Sequence, residues 1–205
     1  AKPWGMKGIP DDFCFDELPY DFDHFEPILE GAIHRVPVLE KVGIQKFFCG
    51  PESFTPDDRY QIGPVPELQN LFVAAGLNSI GIQSAGGIGK VISEWIKDGY
   101  PSSDLASVDI RRNMTFQGNP SYLRDRVKET LGLLYDVHWP FYQYKTGRNV
   151  RKSPFYNLMK EHGACFGEMA GWERPNWFAP KGYNPEYKYS YKKQNWFDFS
   201  ADEHK

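Results

Sequence analysis

Apolar positions along the chain fall into segments of distinct period. Phe25, Ile28, Leu29, Ala32, Ile33, Val36 and Leu39 recur at three- and four-residue steps, which predicts a helix over 23–41 that Pro37 kinks or divides. Before it, residues 1–22 mix Pro, Asp and aromatics without a period and read as loop. Residues 44–49 read as a short strand, and Thr55-Pro56-Asp57-Asp58 has the composition of a turn. Leu71-Phe72-Val73-Ala74-Ala75 is an unbroken apolar run, the pattern of a buried strand, and Gly76 ends it. Five glycines follow between 76 and 89. A helix starting near Gly87 then carries Val91, Ile92, Trp95 and Ile96 on one face until Gly99 and Pro101 stop it. The order is therefore strand, glycine-rich loop, helix.

Residues 100–118 read as a connection, with a boundary near 112–118. Asn119 can cap the next helix and Pro120 suits its first position. Leu123, Val127, Leu131 and Leu134 give that helix an apolar stripe through Val137, and Pro140 closes it. Residues 141–180 read as a small mixed unit with a helix over 153–162 and a strand over 164–168. Residues 181–205 are rich in Tyr, Lys and Asn and have weak periodicity; 187–193 read as solvated surface. There is no internal repeat.

Composition narrows the function classes. Of 205 residues, 40% are hydrophobic and 25% charged, which fits a folded chain rather than a disordered one. The net charge of -3 provides no basic field, so no nucleic-acid partner is expected. No run of about 18 apolar residues predicts a membrane span. The first residues, Ala1-Lys2-Pro3-Trp4, lack an initiator Met and read as the start of an internal piece. Cys14, Cys49 and Cys165 form no CxxC pair and are odd in number, so no disulfide framework is expected. His24, His34 and His162 lack metal spacing, so no metal site is expected. His138 reads as a packed or capping side chain, and Glu173-Arg174 as a structural pair.

The glycine loop is the main chemical candidate. Glycine permits positive φ and close approach of a ligand to the backbone. A helix starting after it would aim free N–H groups and a partial positive charge at the loop. Tight strand–helix packing explains the same glycines equally well. A P-loop is excluded because Ser84 and Val91 stand where it needs Gly and Ser or Thr, and no GxGxxG occurs.

Longer motifs carry a resemblance. Glu52-Ser53-Phe54-Thr55-Pro56-Asp57, Leu71 to Gly81, and Gly86-Gly87-Ile88-Gly89-Lys90 resemble the end of the flavin domain in the dimethylglycine and sarcosine dehydrogenases. Asp109-Ile110-Arg111-Arg112 resembles the exit of that domain. Gly147-Arg148 and Gly171-Trp172-Glu173-Arg174-Pro175-Asn176-Trp177-Phe178 resemble the central domain that follows. Asn195-Trp196-Phe197 with Glu203-His204 resembles the first residues of a folate-binding domain.

The resemblance implies a fold class of α/β and α+β in three pieces. Residues 1–112 would be the C-terminal part of an FAD-binding oxidoreductase fold, and 113–180 a small mixed central domain. Residues 181–205 would start an aminomethyltransferase-like, folate-binding domain. It implies FAD as cofactor, with its site incomplete in these residues, and tetrahydrofolate as a cofactor of the parent protein. The substrate would be an N-methyl amino acid such as dimethylglycine or sarcosine, with an electron-transfer partner. The address would be the mitochondrial matrix, or the cytoplasm in bacteria. Cofactor contacts carried over by resemblance are Thr55, Pro56 and Asp57 in the turn, and Gly76, Asn78, Ser79, Ile80, Gly81, Ile82 and Gln83 in the loop. Gln83 is the side chain expected to face the flavin. No catalytic residue is assigned, and the chain is not expected to turn over substrate alone. A sibling reading is the regulatory subunit of pyruvate dehydrogenase phosphatase, which shares the domain series.

Overall fold

Local signals set most element ends. A computed structural model of the protein describes residues 4, 5 and 8–205. Residues 1–3, 6 and 7, part of the stretch read as loop, lie outside the described residues. The chain divides into two units, residues 1–53 and 54–205.

In the first unit, α1 (Phe22–Arg35) begins where the Asp21 carboxylate accepts from His24 N–H. Pro27 lies inside it as the sixth residue, where the missing N–H removes one intrahelical hydrogen bond. The helix ends at Arg35, and Pro37–Lys41 is a separate 3-10 turn, so proline divides the predicted helix rather than kinking it. Tyr20, Phe22, Phe25 and Phe47 form an aromatic cluster with centroids 5.2–6.1 Å apart. The strand expected over 44–49 does not form. Its Cys49 carbonyl accepts from Leu18 N–H at 2.7 Å, but among the described residues no strand pairs with it.

The second unit opens with two antiparallel strands, β1 (Gln61–Pro64) and β2 (Phe72–Ala75), paired from Gln61↔Ala75 to Pro64↔Phe72. β1 was not expected, because Gly63 and Pro64 both weigh against a strand. Nor is β2 buried as its apolar run suggested; Ala74 and Ala75 are exposed. A two-stranded ladder covers only one face. Beneath it lies α2 (Gly81–Asp98), whose Trp95 is 3% exposed and meets Phe72 edge-on. Gly63, at φ +115, makes this packing possible: a Cβ there would sit 2.9 Å from the Trp95 ring. Gly99 ends α2 in the left-handed conformation.

α3 (Pro120–Tyr135) starts as read, with the Asn119 side-chain oxygen Oδ1 accepting from the N–H groups of Ser121 and Tyr122. It stops two residues earlier than expected. Its buried residues are Arg126 and Thr130, while Leu134 of the predicted stripe is exposed. The stripe is displaced because Arg126 makes an ion pair inside the unit. α4 (Tyr156–Glu161) is shorter than the predicted 153–162 helix.

β3 (Ala164–Met169) and β4 (Trp172–Phe178) form a hairpin with a bulge between Cys165 and Phe166. Ala170 and Gly171, both at positive φ, make its two-residue turn. Cys165, Trp177 and Ala179 form a core over which Tyr183, Tyr187, Trp196 and Phe199 pack. Tyr187 therefore is not solvated surface; it packs on Trp177 and stacks on Tyr189 at 9°. Aromatic burial outweighs the lysines around it. α5 (Phe197–Glu203) closes the described chain. The three cysteines are free.

Candidate functional site

The turn at 55–58 and the loop at 76–80 meet through side chains. Thr55 is 7% exposed and Asn78 3%. Thr55 N–H donates to Asn78 Oδ1 at 2.8 Å. Asn78 Nδ2 donates to the Gly76 carbonyl at 2.8 Å and to Thr55 Oγ1 at 3.2 Å. Thr55 Oγ1 donates to the Arg59 carbonyl at 2.9 Å and accepts from Arg59 N–H at 3.0 Å. Gly76, at φ +63, lies so close that a Cβ would stand 2.6 Å from Thr55 Cγ2. Asn78 and Ser79 are both left-handed, at φ 46 and φ 66.

α2 begins directly after this loop. Its N-cap is Ile80, with no side-chain hydrogen bond to the first turn. The N–H groups of Gly81, Ile82 and Gln83 have no acceptor within the helix. Ile82 is 98% exposed and Gln83 is exposed as well. Tyr60 hydroxyl bonds Ser84 Oγ at 2.5 Å and ties the first turn to the start of β1. The helix therefore begins six residues before the expected Gly87. Gly86, Gly87 and Gly89 lie inside it, and a Cβ on any of them would meet nothing within 4 Å among the described residues. The loop proper is only Gly76 to Ile80.

Charges brace the turn from behind. Arg112 grips Asp57 side-on, Nε to Oδ2 at 2.7 Å and Nη2 to Oδ1 at 2.9 Å, and also donates to the Arg59 carbonyl. Arg111 pairs with Asp109 at 2.6 Å. Burial works against the Asp109 carboxylate, but hydrogen bonds from Arg111 and the charges of Arg111 and Arg112 hold it below the usual range. Asp58 is the reverse case. Burial and then the neighbouring Asp57 push its carboxyl up, and one of its oxygens is buried without a hydrogen bond.

All ten residues proposed from sequence thus lie on one turn–loop–helix junction. Thr55, Pro56 and Asn78 are buried within it, and Asp57 is engaged by Arg112. Gly81, Ile82 and Gln83 form the open helix end. Sequence reasoning missed Arg112, Tyr60 and Ser84; a separation of 55 residues between Arg112 and Asp57 leaves no local signal.

One other expectation fails. Glu173 pairs with Arg148 at 2.5 Å rather than with Arg174, because neighbours on a strand face opposite ways. His138 is exposed beyond the end of α3, yet its ring meets Tyr142 edge-on at 6.4 Å and its Nδ1 lies 3.4 Å from the carbonyl oxygen of Asp136, the C-cap residue, in keeping with a capping side chain. Among the described residues no cluster of His, Cys, Asp or Glu suits a metal ion, and no helix is long and apolar enough to cross a membrane.

Comparison with known proteins gives the family. Residues 6–95 match the family "FAD dependent oxidoreductase", and residues 98–153 match "FAD dependent oxidoreductase central domain". The chain is 49% identical over 203 residues to 4-methylaminobutanoate oxidase (formaldehyde-forming) of Paenarthrobacter nicotinovorans, covering 99% of this chain and 24% of that protein. It is 40% identical over 192 residues to human mitochondrial sarcosine dehydrogenase, covering 93% and 21%. It is 39% identical over 189 residues to the mitochondrial pyruvate dehydrogenase phosphatase regulatory subunit of Mus musculus, covering 91% and 22%. The chain therefore spans about a quarter or less of the length of these relatives. With the flavin-family match ending at the close of α2 and the central-domain match running on from there, the chain belongs to the dimethylglycine/sarcosine dehydrogenase family of FAD-dependent oxidoreductases.

Proposed function

We propose that these residues form one rim of the flavin site in an FAD-dependent enzyme that oxidises an N-methyl amino acid. The observation that carries this reading is the start of α2 without a side-chain cap, presented by a loop whose Asn78 is buried and fully hydrogen-bonded. FAD supplies the acceptor for the two electrons taken from an N-methyl C–H bond. With flavin bound, fixed N–H donors at the helix start would stabilise negative charge on its adjacent edge without reorganising. Gly81, Ile82 and Gln83 offer those donors, together with the positive end of the helix dipole. Gln83 adds an exposed neutral amide, which can donate a hydrogen bond but carries no charge.

Thr55, Pro56 and Asp57 support the loop from below, and Gly76 lets it pass over Thr55. Residues 113–180 serve as the central domain. Residues 181–205 lead into a folate-binding domain, where tetrahydrofolate would take the one-carbon product. The substrate class is supported by relatives named for 4-methylaminobutanoate, sarcosine and dimethylglycine. A mitochondrial address, in the matrix, is in keeping with the animal relatives, whose names say mitochondrial.

A second reading is non-catalytic, since the phosphatase regulatory subunit is nearly as similar as sarcosine dehydrogenase. The two separate on full-length protein. Bound flavin, bleached by sarcosine, dimethylglycine or 4-methylaminobutanoate with reduction of a dye, is the expected result. Flavin-free protein that stimulates pyruvate dehydrogenase phosphatase would overturn the enzyme reading.

A further inference from the structure

We infer that Asn78 is a positioning residue for the flavin-facing helix end and that its side chain does not touch the cofactor. This inference rests on the flavin reading above and refines it.

The Asn78 amide is fully occupied by protein. Its oxygen takes Thr55 N–H, a group that can only donate, which fixes the orientation of the amide. Both protons of its nitrogen are used, on the Gly76 carbonyl and on Thr55 Oγ1. Thr55 Oγ1 can accept there because its own proton goes to the Arg59 carbonyl. At 3% exposure nothing remains for a ligand.

The backbone shows what this clasp does. Asn78 and Ser79 are consecutive non-glycine residues in the left-handed region. Such conformations persist only where the surroundings enforce them. The loop reverses there and releases the chain into α2 two residues later. The direction of the Gly81, Ile82 and Gln83 N–H groups therefore depends on the Asn78–Thr55 clasp. A loosened clasp leaves the donors present but poorly aimed. Oxidised flavin, which lacks the extra charge, loses little; reduced flavin loses stabilisation.

The test compares full-length wild-type protein with Asn78→Ala, Thr55→Val and Thr55→Ser, reading flavin content, visible spectrum and reduction potential. Asn78→Ala should keep its flavin and bind the reduced form about tenfold less well relative to the oxidised form. For a two-electron couple that lowers the potential by about 30 mV. Thr55→Val should shift it the same way by less, because the Thr55 N–H bond to Asn78 survives, and Thr55→Ser should restore it. If Asn78→Ala does not fold, Thr55→Val against Thr55→Ser decides alone. An unchanged potential in folded, flavin-loaded variants overturns the inference. So does a folded variant that has lost its flavin, since Asn78 would then retain the cofactor rather than aim donors at it. Wild-type protein without flavin is a different failure, and sinks the flavin reading itself.

Discussion

Arg126 shows how a single side chain can replace an apolar stripe. Its guanidinium is 2% exposed and pairs with Glu168, itself 3% exposed, at 2.8 Å. It also donates to the Thr146 carbonyl at 2.6 Å and lies 4.1 Å from the centre of the Tyr144 ring. Gly147 crosses directly above, where a Cβ would stand 2.9 Å from Arg126 Nη2. Removing one partner of such a pair leaves a buried charge unanswered, at a cost of about 3–5 kcal/mol. Arg126→Leu should therefore sharply increase hydrogen exchange across the 164–178 hairpin. The double change Arg126→Leu with Glu168→Leu should be milder, because no lone charge remains. Equal exchange in wild type and Arg126→Leu would show that the pair does not hold the hairpin.

Between elements, Glu129 ties α3 to the 142–146 segment. Its carboxylate accepts from Tyr142 hydroxyl at 3.0 Å, Lys145 N–H at 2.7 Å, Thr146 N–H at 2.8 Å and the Thr146 hydroxyl. Burial would raise its pKa, but these bonds outweigh burial and hold the carboxyl below the usual range. Burial and the Glu129 carboxylate push the Tyr142 hydroxyl up to about 12. A depressed carboxyl stabilises the fold above its unfolded pKa of about 4.3, and that contribution is lost as pH falls through the lower folded value. Protection of the 142–146 amides should thus decline on acidification below about pH 4, and Glu129→Gln should remove the decline. The start of α3 was legible because Asn119 and Pro120 are local signals. The hairpin partner β4 was not, since Pro175 sits inside it at a bulged register. β1 stayed hidden for a similar reason, as Gly63 serves the Trp95 ring rather than the strand. The turn and loop of the candidate site were readable as motifs, while the clasp joining them was not, because Thr55 and Asn78 lie 23 residues apart.

At the scale of the whole molecule, the chain is, on the proposed reading, one rim of a flavin site rather than a complete one. It contains no GxGxxG phosphate loop and spans about a quarter of its relatives. Titrated with FAD, the 205-residue chain should bind with a Kd weaker than about 1 μM; submicromolar affinity would mean that these residues hold most of the cofactor contacts. The glycines within α2 carry a further consequence. Gly86, Gly87 and Gly89 each forfeit about 1 kcal/mol of helix propensity relative to alanine. Cut out as a peptide, this stretch would be coil. Its helicity is on loan from Ile88 and Trp95, the two side chains it buries. Trp95 lies fourteen residues past Gly81, the first residue of the helix, about 20 Å along the axis. A remote wedge that pried the indole loose would fray the opposite tip, so the grip on one tryptophan governs order at the start of the helix.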